Sequence, residues 1–295
     1  RYQSILPFVT LATLRPLIFL ILLKERAHMK KDIRWRYIFN QITMMAQEFN
    51  FCFLFRVHDL APYAGLYCDG PICRMGIDKQ YLTMILSYTT VGTVPTFLLL
   101  LIRMHQRIIE HTDSKLKLST RAQVMLMIFL SMVLFSNVAG FYAFGKDSTN
   151  AKELTNIPDL AWLKQRGGTL FLFGPPGRAE FFGSELALLL CSILIIAPFV
   201  MIISFHAMKI MRDQHLHRSL TTRTQQLQLK LFAVFFLQMI GVECFYVAPL
   251  FAMLVHMIVD VSWLPAWMIA LGRCTLIIAF TLESVQLSLI FLLKN

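Results

Sequence analysis

The sequence predicts an all-α membrane protein, a bundle of seven transmembrane helices with the N-terminus outside and the C-terminus inside. Three observations carry that prediction. Of the 295 residues 57% are apolar, 25 residues are Phe, and the mean hydropathy is +0.61, a composition that a soluble domain of this size does not tolerate. The apolar residues gather into seven segments near the ~20 residues that a helix needs to cross a bilayer. Lys and Arg then crowd into alternate connecting loops, which sets the orientation.

Taken in order, the segments run from Ile5 to Leu23, Tyr37 to Val57, Tyr81 to Ile102, Val124 to Phe144, Leu186 to Met208, Leu231 to Met253 and Trp263 to Leu293. Arg15 and Glu48 stand inside the first two. The last is long enough to tilt, or to leave the membrane as a short surface turn. No internal repeat or low-complexity tract is present, so residues 1–295 read as one domain, with a long outer loop at about 145–183 and a third inner loop at about 209–230. With the N-terminus outside, the first inner loop carries Lys24, Arg26, Lys30, Lys31, Arg34 and Arg36. The second carries Arg103, Arg107, Lys115, Lys117 and Arg121, and the third Lys209, Arg212, Arg218, Arg223 and Lys230. These hold most of the 28 basic residues, so essentially all of the +11 net charge is cytoplasmic. Such a face suits anionic lipid headgroups or an acidic protein partner. Membrane lipids are therefore expected partners, and nucleic acid is not.

The stretch from Thr221 to Leu250 passes from a basic polar run straight into a membrane-grade helix, interrupted by Gln238, Glu243 and Pro249. Each interruption is costly in hydrocarbon and needs a partner or a purpose. Pro249 frees a carbonyl about one turn back and marks a kink or hinge. By the rise of about 1.5 Å per residue from the span edges, Arg15, Glu48, Glu243 and Arg273 all lie near the midplane. Two acids and two bases at one level cancel, and pairing inside the bundle is cheaper than leaving any of them alone. Glu243 and Arg273, on sequential helices, are expected to pair beneath an outward-facing pocket.

Among the cysteines, Cys52, Cys191, Cys244 and Cys274 fall within spans and behave as small apolar side chains. Cys68 and Cys73 share the first outer loop, in an oxidising compartment, and could pair. The long outer loop has no Cys, so the bridge that ties it to the third helix in rhodopsin-like receptors is impossible here. Enzymatic function is not expected: there is no phosphate loop, dinucleotide fingerprint, serine elbow or zinc-protease pair. His215 and His217 have no Cys or carboxylate cluster to complete a metal site. Neither a metal nor a cofactor is predicted. The run from Phe173 to Gly177 reads as turn chemistry.

Four stretches resemble nematode serpentine chemoreceptors of the Str superfamily, most nearly its classes H and I. Trp35 is followed five residues later by Asn40, where the family has a Trp and then an Asp. Pro62 to Gly70, with Gln80 following, resembles the Pro- and Gly-rich stretch after helix two. Arg103 to Arg107 ends helix three in the family's manner, and Thr224, Gln238 and Pro249 match landmarks before and inside helix six. The resemblance spans about Leu14 to Leu293. It implies a G-protein-coupled receptor in the plasma membrane that takes a small-molecule odorant from outside and engages a heterotrimeric G protein inside. Arg103, His105, Arg107, Arg223 and Lys230 are then the expected residues of a basic inner cleft. Tyr81, Met84, Tyr88, Tyr246 and Trp267, from the outer halves of the helices, suit a small, largely apolar ligand. A small transporter or a ligand-gated channel would also use midplane charges, but no repeat or broken helix pair of the transporter kind is present.

Overall fold

A computed structural model describes residues 2–24, 31–60, 64–110, 114–144, 167–174 and 183–217, together with Leu163 and isolated positions between 233 and 268. Residues of the expected third inner loop and of the sixth and seventh spans that carried predictions, namely Arg223, Lys230, Glu243, Tyr246, Pro249 and Arg273, lie outside the described residues. Within those described, four helical stretches are long and apolar enough to cross a membrane: Pro7–Lys24, Lys79–Ile108, Thr120–Ala143 and Leu186–Met211.

The first span is two helices, α1 (Tyr2–Ala12) and α2 (Leu14–Lys24), separated at Thr13. Pro16 is the cause: its ring cannot donate to the carbonyl four residues back and clashes with it, so the helix restarts. The third span breaks by the same device. Its halves, α4 (Lys79–Val91) and α5 (Val94–Ile108), meet at Gly92 and Thr93 just ahead of Pro95. Between them, α3 (Lys31–Phe49) runs on into a π-helical segment, Asn50–Phe55, which ends where Arg56 turns left-handed at φ 50°. The fourth span is α6 (Thr120–Phe144) and the fifth is α7 (Ser184–His217). The fifth helix overruns the predicted edge at Met208, because the polar residues from Lys209 to His217 include neither Gly nor Pro and simply carry the helix out of the apolar layer. His215 and His217 thus end a helix rather than occupying a loop.

The centre of the bundle is α5. Leu98, Leu100, Leu101, Ile102 and Met104 are all nearly or wholly buried, packed among Ile18 and Leu22 of α2, Tyr37 of α3, Leu130 and Leu134 of α6 and Ile196, Val200 and Ile203 of α7. Polar links cross this core. Thr96 Oγ1 lies 3.0 Å from both Asn40 Oδ1 and Thr43 Oγ1, and Asn137 Nδ2 donates to Ser192 Oγ at 2.7 Å. Interhelical bonds of this sort contribute about 0.6 kcal/mol each inside a membrane. Asn40, standing where the resembled family has an acid, keeps the acceptor that Thr96 uses.

One feature departs from a purely helical reading. Loops at one end of the bundle form a three-stranded antiparallel sheet of β1 (Val57–Asp59), β2 (Ala64–Cys68) and β3 (Thr169–Gly174), in the order β1-β2-β3. Tyr67 opposes His58 on one side and Leu170 on the other, and Cys68 opposes Thr169. Phe173 and Gly174, read as the start of a turn, instead close β3. Phe51, Phe55, Cys68, Cys73, Leu82, Leu86 and Phe171 fill the space beneath. Gly70 permits that packing, since a Cβ there would lie 2.6 Å from the Phe55 carbonyl oxygen.

Candidate functional site

A buried polar group sits between the first two spans. The restart of the helix at Leu14 puts Arg15 in the first turn of α2, and Gln41 and Glu48, seven residues apart, fall on one face of α3. Arg15 donates from Nη1 to Gln41 Oε1 at 2.8 Å and from Nη2 to Glu48 Oε2 at 3.0 Å. Glu48 Oε1 accepts a further bond from Thr10 Oγ1 at 2.6 Å. Arg15 is 1% exposed and Glu48 4%, so both charges are withdrawn from solvent and their mutual neutralisation is obligatory. The sequence marked these two as midplane charges. It missed Thr10 and Gln41, although the seven-residue spacing of Gln41 from Glu48 is a readable signal of a shared face.

At the other end of α5 the side chains tie three neighbouring spans to it. Arg103 donates from Nε to Asp32 Oδ2 of α3 at 3.0 Å and from Nη1 to Gln123 Oε1 of α6 at 3.1 Å. Asp32 also receives Arg36 Nε at 2.9 Å. Burial pushes the Asp32 carboxyl up, but the hydrogen bonds and charges of Arg103 and Arg36 outweigh it and hold the group below the usual carboxylate range. His105, 1% exposed, faces α7, where its Nε2 lies 2.9 Å from His206 Nδ1. The tautomers follow from the neighbours. Gln106 Nε2 can only donate, at 3.3 Å, to His105 Nδ1, so His105 carries its proton on Nε2 and gives it to His206 Nδ1. His206 then holds its own on Nε2, 3.3 Å from Ser114 Oγ. His206 was not among the expected site residues, because a lone His in an apolar run carries no signal of its partner. Arg107, the third expected basic residue here, pairs with Glu110 at 3.0 Å. Of the basic set, Arg103 and Arg107 retain partial exposure, while His105 lies inside the bundle.

Three of the expected ligand residues, Tyr81, Met84 and Tyr88, lie along one helix, α4. Tyr81 and Tyr88 are about half exposed, and their rings meet Tyr142 and Phe135 of α6, each with centroids 6.0 Å apart. Met84 is partly buried on the same helix, and Trp267 is 65% exposed. At the sheet end of the bundle a disulfide joins Cys68 and Cys73, whose Cα atoms are 5.9 Å apart. Beside it Asp69 stands among Arg56, His58 and Arg74 at 3.6, 3.5 and 4.0 Å. Among the described residues no three His, Cys, Asp or Glu side chains converge in a way that could hold a metal ion.

Comparison with known proteins gives one match. The family model for the serpentine type 7TM GPCR chemoreceptor Srh matches residues 5–283, while no curated protein and no solved structure matches the chain. That match covers nearly the whole sequence, including the segment expected to form the sixth span and most of the one expected to form the seventh. With helices that span a membrane and a polar-linked third span at their centre, the chain belongs to the Srh family of nematode serpentine seven-transmembrane G-protein-coupled chemoreceptors.

Proposed function

We propose that this chemoreceptor binds a small, largely apolar odorant or pheromone-like molecule from the outer side and activates a heterotrimeric G protein at the inner side, with its N-terminus outside and its C-terminus in the cytosol. The observation that carries this reading is the linkage at the foot of the third span: Arg103 to Asp32 and Gln123, and His105 to His206, bind one helix to the second, fourth and fifth spans. A ligand changes a conformational equilibrium only by its differential affinity for the two states, so a transmissible signal needs contacts that one state has and the other lacks. Polar bonds between helices at the inner end are such contacts. Their exchange for bonds to a partner would open the basic cleft that Arg103, Arg107, Arg223 and Lys230 are proposed to line, with Pro249 as the hinge. Tyr81, Met84, Tyr88, Tyr246 and Trp267 remain the proposed ligand contacts, and Glu243 with Arg273 a second midplane pair.

The test is nucleotide exchange on a co-expressed G protein, measured over an odorant panel with the intact chain in cells. A ligand that stimulates exchange in the wild type and fails to do so after Arg103→Ala, at equal surface expression, supports the reading. Accumulation of a labelled panel compound, or a ligand-gated current, without nucleotide exchange would replace it with a transporter or a channel.

A further inference from the structure

On the flank of the bundle a groove of about 470 Å³ runs between α3, α5 and α6, and no residue of the proposed ligand set lines it. Its two ends differ in chemistry. At the foot are Arg36, Arg103 and Gln123; going up α6 from there the lining turns apolar, through Met127 and Met132 to Phe135. Val124, Ile128 and Met132 are more than half exposed, so the groove opens sideways to the surroundings of the bundle rather than into its core.

From this arrangement we propose that the groove holds one membrane phospholipid with an anionic headgroup, its phosphate between Arg36 and Arg103 and one acyl chain along α6. Charge supports the headgroup. Two arginines share the single carboxylate of Asp32, which leaves one unit of positive charge. Each arginine spends its Nε on Asp32, and the Nη groups of Arg36 and Nη2 of Arg103 have no partner among the described residues. Asp32 thus fixes both guanidinium planes, and the outer edge of Arg36 stays open for paired N–H bonds to a phosphate with Arg103 Nη2 beside it. Depth supports the acyl chain. Gln123 and Phe135 are twelve residues apart on α6, about 18 Å, against roughly 15 Å for the hydrocarbon of one leaflet. Trp35, 55% exposed beside Arg36, lies at the same level, where indole rings favour the headgroup boundary.

The test is native mass spectrometry of the full chain released from nanodiscs containing equal amounts of phosphatidylserine and phosphatidylcholine with identical acyl chains. The expected result is one tightly retained lipid per chain, with phosphatidylserine preferred. Arg36→Gln should lower phosphatidylserine retention about fivefold, the effect of one arginine near a charged lipid surface, and phosphatidylcholine retention less, because the choline ammonium offsets its phosphate charge. Met132→Trp, at an exposed position that needs no repacking of the core, should reduce retention of both lipids by filling the apolar half. Equal retention of the two lipids, or no loss in Met132→Trp, overturns the proposal. So does displacement of the bound lipid by millimolar glycerol phosphate, which would mark a site for a soluble anion. The readout involves neither odorant nor G protein, so its failure is distinct from failure of the signalling role.

Discussion

Replacing Glu48 with Leu is the sharpest perturbation of the mid-membrane group. The substitution removes the acceptor of two bonds, from Arg15 Nη2 at 3.0 Å and from Thr10 Oγ1 at 2.6 Å, and leaves a guanidinium that is 1% exposed with Gln41 alone. Breaking a buried ion pair by deleting one partner costs about 3–5 kcal/mol, because the surviving charge is stranded. For a chain of this length that corresponds to a fall of very roughly 10 °C in the unfolding midpoint. Removing both charges is different in kind. Arg15→Met together with Glu48→Leu leaves no stranded ion and fills similar volume, so the double variant should return to within about 1–2 kcal/mol of the wild type. Thermal unfolding in a mild detergent, followed by intrinsic fluorescence, measures all four corners of this cycle. The reasoning fails if Glu48→Leu unfolds within a degree or two of the wild type, or if the double variant is as unstable as the sum of the singles.

Further outcomes follow from the inner end and the outer cap. Either His105→Leu or His206→Leu should cost about 1–3 kcal/mol by leaving its partner's polar atom buried and unbonded, whereas the double variant should cost less than the sum, again by thermal unfolding. Because the folded-state Asp32 carboxyl is held below its ordinary value, the stability it contributes is fully present above that value and is lost as pH falls through the lowered one. The wild-type advantage over Asp32→Asn in unfolding midpoint should therefore be constant between about pH 5 and pH 8 and shrink only below about pH 4. Cys68→Ser opens a loop of only five residues' separation and should cost about 2 kcal/mol, seen as a reduced midpoint with surface expression retained.

The helical bundle was legible because its signal is bulk composition: runs of apolar residues can do little else than cross a bilayer. Arg15 and Glu48 were legible for the opposite reason, as charges where charge is costly. That cost marks a residue as needing a partner but does not name one, which is why Thr10 and Gln41 escaped notice. The breaks at Thr13 and Gly92 could have been read from Pro16 and Pro95, yet the hydropathy of both segments is continuous across them and gives no warning. The sheet was hidden more thoroughly. Its strands are three to six residues long, and β3 reads Thr-Leu-Phe-Leu-Phe-Gly with no alternation to mark a face. Its pairing joins Cys68 to Thr169, about a hundred residues away, and such contacts leave no local trace. His105 was expected in the inner cleft from its place at the foot of helix three; the structure sets it against His206, whose capacity to accept and donate at once lets two rings satisfy each other inside the bundle.

The anchoring by β3 of the loop between the fourth and fifth spans has a consequence for how such a receptor can vary. A cystine staple depends on two particular side chains, whereas a ladder of main-chain N–H and C=O groups is nearly indifferent to which residues carry it. Substitutions on the exposed face of this small sheet can accordingly change the surface at this end of the receptor while the loop's footing on the segment before the third span stays intact. That end of the chain is free to diversify at little cost to the frame that holds it.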